Sequence, residues 1–160
     1  MKNPQFSKIE DFEGDRMAEN NVYEMLKKDH DNIKGLLRET IQNMDPSQFS
    51  KIQKEWESHM LGEEMYFYPA LRKKESFMVL ERYEEHELGK KLIYELDKLD
   101  KDDEHWMPKM GVLQEIIELH INEEEKEIFP KAKEIISEDK ERRILNKIQD
   151  EKSRYVKSYL

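Results

Sequence analysis

The sequence predicts an all-α domain: an up-down-up-down antiparallel four-helix bundle with an N-terminal arm and an additional C-terminal helix. Three observations carry this. Glu, Lys, Leu and Ile dominate a chain of 160 residues with only five Gly and five Pro, a composition that favours long helices over strands. Apolar residues make up 36% against 41% charged, and they recur at helical spacing, so a core can form despite the charge. Finally, His59-Met-Leu-Gly-Glu63-Glu64-Met-Tyr-Phe-Tyr-Pro69 returns 61 residues later as His120-Ile-Asn-Glu-Glu124-Glu125-Lys-Glu-Ile-Phe-Pro130, with every His, Glu and Pro at the same offset. One helical unit is used twice.

Residues 1–20 are polar and aperiodic, with Phe6, Ile9 and Phe12 as the only anchors, and read as an arm. The bundle proper is expected over 21–138. Its first helix begins near Asn20 or Asn21, either able to cap it, and runs to about Met44; Tyr23, Leu26, Ile33, Leu37 and Ile41 form its apolar line, with His30 inside that line. Asp45-Pro46 is a cap followed by a first-turn proline and opens a second helix to roughly Lys74, carrying Ile52, Trp56, His59, Glu63, Tyr66 and Phe67 toward one side. Ser76 is the expected cap of a third helix with Val79, Tyr83, His86, Ile93 and Leu96, which ends in the polar cluster Asp100–Glu104. Pro108 marks the start of a fourth, with Val112, Leu113, Ile116, Ile117, His120, Glu124, Ile128 and Phe129. Short connections favour antiparallel neighbours. Pro69 and Pro130, late in their helices, each remove a backbone hydrogen bond and are expected to kink or end them.

The fifth helix, starting about Ser137 or Glu138, presents Ile144, Leu145, Ile148, Tyr155 and Val156. Residues 139–160 form a basic amphipathic segment, with seven Lys or Arg against four Asp or Glu in a chain of net charge −9. Its charged face reads as solvated, with docking on this chain or on a protein partner as the alternative. The acidic whole argues against a nucleic-acid partner, since phosphate attraction needs a basic face. No apolar run reaches membrane-spanning length and no secretory core is visible, so no membrane partner and a cytoplasmic protein are expected. Absence of cysteine excludes disulfides, iron–sulfur clusters and thiolate zinc sites.

On a helix, residues four apart lie about 40° apart and ~6 Å along the axis, so His59 with Glu63, and His120 with Glu124, can each converge on one point. With His30 and His86, four helices bring four His and two Glu onto faces otherwise apolar. Buried polar groups without partners cost roughly 2–7 kcal/mol each, and a carboxylate more. A metal removes the conflict: His30 and His59 would hold one ion, His86 and His120 the other, with Glu63 and Glu124 bridging them at the ~3.5–4 Å separation of two-metal sites. Nitrogen and oxygen donors suit iron, manganese or zinc. Glu64 and Glu125, about 100° further round, are either solvent-facing or placed behind the ligands to orient them. Tyr66 and Glu127, each seven residues past the paired His, are core packing in the plain reading and a path to the ions in the sharper one. His105 reads as a surface residue, and the nine Met as core filler.

These residues resemble the hemerythrin-like, or HHE cation-binding, family over about residues 22–136, through His30, His59-x-x-x-Glu63, His86, His120-x-x-x-Glu124 and the trailing Tyr68-Pro69 and Phe129-Pro130. The resemblance implies a four-helix bundle holding two iron ions with a bridging oxo, hydroxo or water. It departs from oxygen-carrying hemerythrins, which place a second His four residues along the third helix, where Lys90 follows His86 and Arg82 precedes it. They also use an Asp five residues beyond the fourth-helix His, where Glu125 stands here. A more open, symmetric centre follows, nearer to iron-responsive domains and to di-iron proteins tied to repair of iron centres, although the repair proteins typically carry a cysteine-bearing segment. The implied function is binding of iron and of dioxygen, peroxide or nitric oxide in sensing, storage or stress protection. The alternatives are a di-iron enzyme turning over peroxide or nitric oxide, a repair protein, and a metal-stabilised interaction module using the last helix.

Overall fold

The computed structural model describes residues 21–158, and the regular structure among them is helical throughout. The expected N-terminal arm with Phe6, Ile9 and Phe12 lies outside the described residues, as do 159–160 and the side chain of Val156. Helix α1 spans Val22–Gln42 and is capped by Asn21, whose side-chain oxygen accepts a hydrogen bond from the Glu24 N–H at 2.9 Å. The chain reverses through Met44 in the left-handed region, at φ 51°. Asp45 then accepts from the Ser47 N–H at 2.9 Å and opens a short 3-10 turn, Pro46–Gln48. Only after it does α2 (Phe49–Gly62) begin.

Two π turns set the middle of the structure. Helix α2 runs into Glu63–Phe67, which is wound as a π turn, and continues as α3 (Tyr68–Leu71). After α4 (Ser76–Lys98), the fourth rod repeats the arrangement with α5 (Trp106–Glu123), a π turn Glu124–Ile128, and α6 (Phe129–Ile135). The prolines therefore neither end their rods early nor sit in an α-helical interior. The Tyr68 N–H bonds the Glu63 carbonyl and the Phe129 N–H bonds the Glu124 carbonyl, five residues back, so each proline falls in the first turn of a fresh α segment, where its missing N–H is tolerated. Ser76 is the first residue of α4 rather than its cap, with Glu75 preceding it.

The rods pack as a ring, α1 against α2 and α5, and α4 against α5 and α2. Tyr23, at the start of α1, meets Phe67 and Phe129 at the far ends of the second and fourth rods, with ring centroids 6.2 and 5.4 Å away. Phe49 and Trp106, which begin those rods, meet at the other end at 5.5 Å. Direction therefore alternates around the bundle. Two apolar clusters result: one around Val22, Leu26, Phe67, Val79 and Phe129, the other around Ile33, Leu37, Ile52, Ile93 and Ile117. The repeated His and Glu residues lie in the layer between. Val112 was expected inward but is 46% exposed, because the inner stripe of α5 runs through Met110, Leu113, Ile117, His120 and Ile121 and leaves its neighbour outside.

Helix α7 (Glu138–Ser158) docks on the bundle through its apolar side, while its basic residues Lys140, Arg142, Arg143, Lys147 and Arg154 stay exposed. Ile144, Leu145 and Ile148 are buried in the first apolar cluster. Glu141 accepts from the Val22 N–H at 2.9 Å, Tyr66 donates to Glu151 at 3.1 Å, and Tyr155 donates to Glu57 at 2.5 Å. Close approach depends on Gly62: a Cβ there would stand 2.9 Å from Ile148 Cγ2. No helix among the described residues is long and apolar enough to cross a membrane.

Candidate metal centre

His30 from α1, His59 from α2, Glu63 from the first π turn, His86 from α4, His120 from α5 and Glu124 from the second π turn are all buried and meet in one layer. Their imidazoles pair through Nε2, His30 with His59 at 3.1 Å and His86 with His120 at 3.2 Å. Glu63 presents one oxygen to each pair: Oε1 lies 2.9 Å from His59 Nε2, and Oε2 lies 3.2 Å from His86 Nε2. Glu124 meets both pairs through Oε2, at 3.0 Å from His120 Nε2 and 3.7 Å from His30 Nε2. The donor atoms form two groups that could each hold an ion, His30, His59, Glu63 and Glu124 in one, and Glu63, His86 and His120 in the other, every group within 4.8 Å across.

Behind each imidazole stands a carboxylate that takes its Nδ1–H. Glu125 accepts from His30 at 2.8 Å, Asp29 from His59 at 3.2 Å, Glu64 from His86 at 2.8 Å, and Glu85 from His120 at 2.7 Å. Every Nε2 is thereby left facing the centre, the tautomer and orientation a metal ligand needs. Glu64 and Glu125 thus lie behind the ligands, and each reaches across to the other half of the repeat. Asp29 and Glu85 were missed in the sequence, although a signal existed: Asp29-His30-Asp31-x-x-Lys34 and Glu85-His86-Glu87-x-x-Lys90 are a second repeated motif. Lys34 pairs with Asp31 at 3.1 Å and Lys90 with Glu87 at 2.9 Å, while Lys90 also holds Glu64 at 2.9 Å.

The electrostatics call for positive charge inside the layer. Burial pushes the Glu124 carboxyl up, and the neighbouring Glu63 carboxylate adds to this. Burial acts the same way on Glu63, but His59, His120 and His86 outweigh it and hold that carboxyl well below its usual range. His59 is pushed up to about 10, as Glu63 and Asp29 overcome the effect of burial, and His120 is raised for the matching reason beside Glu124, Glu63 and Glu85. Even so, Glu63 Oε1 and both Glu124 oxygens are buried without an aligned hydrogen bond, although His59 and His120 Nε2 lie 2.9 and 3.0 Å from Glu63 Oε1 and Glu124 Oε2. Such orphans are costly among neutral partners, and a cation bound by the same six side chains would satisfy all three.

The phenol that reaches this layer is Tyr68, which donates to Glu63 Oε2 at 3.1 Å and is fully buried. Its hydroxyl is raised well above the ordinary tyrosine value by burial and by Glu124 and Glu63. Tyr66 instead faces Glu151 on α7, and Glu127 is exposed at the surface. Tyr83 donates to the Glu64 carbonyl at 3.3 Å, beside the centre rather than in it. His105 is exposed, as expected, and hydrogen-bonds Asp103. Trp56 walls the cage, stacked on His59 at 5.6 Å and edge-on to His86 and His120 at 5.8 and 5.5 Å.

Comparison with known proteins bears on the fold and the family. Among solved structures, a crystal structure of a hemerythrin HHE cation binding domain-containing protein from Mycobacterium kansasii shares the fold at a TM-score of 0.74, with 23% identity over 86% of this chain and 88% of that one. No curated protein matches. The hemerythrin HHE cation binding domain matches residues 21–132, the segment that carries all six buried His and Glu, and the chain belongs to that family.

Proposed function

We propose that this protein is a non-haem di-iron protein that binds iron and small oxidants, dioxygen, peroxide or nitric oxide, in sensing, storage or stress protection. One observation carries the reading: two imidazole pairs turn Nε2 toward the same two buried carboxylates, three of whose oxygens have no aligned hydrogen bond. His30 and His59 would hold one ion, His86 and His120 the other, with Glu63 and Glu124 between them. Iron bound there supplies Lewis acidity and a change of oxidation state. The chain's own residues do the rest. Asp29, Glu64, Glu85 and Glu125 orient the imidazoles, the apolar clusters above and below exclude bulk water, and Tyr68 keeps a proton at its hydroxyl against Glu63 Oε2.

Anaerobic iron(II) titration followed by optical spectra with dioxygen, peroxide and nitric oxide tests this. Two irons per chain and new absorption with at least one oxidant are expected. A chain that takes up no iron under iron-replete conditions overturns it. The Tyr68 hydroxyl favours a second, enzymatic reading, turnover of peroxide or nitric oxide with that phenol as the proton donor. Steady-state turnover that Tyr68→Phe abolishes, with iron content unchanged, would separate turnover from binding; absence of turnover with any of these oxidants removes it.

A further inference from the structure

The two halves of the centre are related residue by residue, and one difference between them lies in what holds the carboxylates behind His59 and His120. Asp29, His30, Asp31 and Lys34 in α1 correspond to Glu85, His86, Glu87 and Lys90 in α4. In α4, the carboxylate behind His120 has a cation from its own helix: Arg82 lies 3.0 Å from Glu85 and continues to Glu123 at 2.6 Å. The position in α1 that corresponds to Arg82 is Leu26, fully buried in the apolar cluster. Asp29 therefore has no such partner within α1. Its cation comes from Lys152 of α7, which forms an ion pair with the largely buried Asp29 carboxylate.

Lys152 lies twenty residues beyond the segment that matches the family, yet it is two contacts from a ligand: Lys152 holds Asp29, and Asp29 takes the His59 Nδ1–H. The helix that carries it is set firmly. Ile148, one turn earlier, is fully buried against Gly62, the residue before Glu63, while Glu151 and Tyr155 on either side of Lys152 bond Tyr66 and Glu57. A side chain so placed fixes the carboxylate that fixes the imidazole.

We propose that Lys152 is a positioning residue for the metal position at His30 and His59, and that α7 thereby makes retention of one ion depend on the C-terminal helix while the other depends on Arg82. The inference rests on the metal-centre reading and deepens it. It also opposes a purely electrostatic role. A cation near a metal site weakens metal binding through charge alone, so removing Lys152 would tighten the site; loss of positioning would loosen it.

The test uses the full chain loaded anaerobically with iron(II), mixed with excess chelator, with released metal followed over time. In Lys152→Met, which keeps the aliphatic stem and removes the ammonium, one half of the metal should leave faster by on the order of tenfold, at the lower end of what loss of an outer hydrogen-bonding partner does to affinity. The other half should leave at the wild-type rate. Lys152→Arg should restore slow release, and Arg82→Met should quicken the opposite half. Release that is unchanged, slower, or faster for all of the metal in Lys152→Met overturns the proposal while leaving the di-iron reading in place. A wild-type chain that takes up no metal removes that reading, and this inference with it.

Discussion

Glu63 and Glu124 hold matching places in the repeat, yet their surroundings are unequal. Glu63 spreads its two oxygens over both imidazole pairs and also accepts from Tyr68, while Glu124 meets both pairs through Oε2 alone. Glu63→Gln should accordingly cost both ions, and Glu124→Gln should leave the chain with more metal than Glu63→Gln does, read as metal per chain after desalting. Equal loss in the two variants would contradict this asymmetry. Tyr68→Phe keeps the ring that packs beside Phe67 and Tyr83 and removes one hydrogen bond to a buried carboxylate. Hydrogen bonds to charged groups are worth about 1.5–3 kcal/mol, so a loss near 2 kcal/mol in denaturant unfolding is expected, with the helical signal intact. His59, Glu63, His120 and Glu124 could be read from the sequence because His and Glu four apart on one helix need no knowledge of any other element, and His30 and His86 because each falls on the apolar line of its own helix. Asp29 and Glu85 could not be read that way. Each is adjacent in sequence to one His but serves a different His on a neighbouring helix, a relation that only the packed bundle creates.

Between residue and bundle, the π turns explain where helical counting succeeds and where it fails. Up to Glu63 and Glu124 the rods are α-helical, and the spacing of four holds. Beyond them, counting at about 100° per residue puts position 68 some 140° away from Glu63, whereas a π turn sets residues five apart nearly one above the other. Tyr68 is brought onto the carboxylate and Tyr66 is turned toward α7, which reverses the assignment that α-helical counting suggests. The prolines at 69 and 130 were visible as breaks, but a break in the sequence does not say whether the rod bends, stops or widens. Gly62, just before the first π turn, gives a test at this level. In a helix, Ala is favoured over Gly by roughly 0.5–1 kcal/mol. Here the added Cβ would press on the stiff, fully buried Ile148 at 2.9 Å, and overpacking of that kind costs about 1–3 kcal/mol. The steric term is the larger, so Gly62→Ala should lower the urea midpoint with an unchanged slope. A midpoint raised by the substitution would show that α7 yields at no cost and is less firmly set than its contacts indicate.

Taken as a whole, the molecule puts a cluster of ionisable groups in the middle of its core, four imidazoles and two carboxylates between two apolar clusters. The buried carboxylates favour the protonated form of His59 and His120, yet Glu63 Oε1 and both Glu124 oxygens are left without an aligned hydrogen bond. A ligand that binds only the folded chain stabilises it by RT ln(1 + [L]/Kd), about 4 kcal/mol at a thousandfold excess over Kd. For a domain of this size, each kcal/mol is worth roughly 2–4 °C in melting temperature. Saturating iron(II) under anaerobic conditions should therefore raise the melting temperature by on the order of 10 °C or more, and a chelator should return it to the metal-free value. The six candidate ligands come from all four rods of the bundle, so none of the four could leave a loaded centre without breaking a metal bond, and one cooperative transition should move upward as a unit. Calorimetry that finds the melting temperature unmoved by iron would contradict a centre built from the bundle core. A second transition that iron leaves in place would show instead that part of the fold stands apart from it.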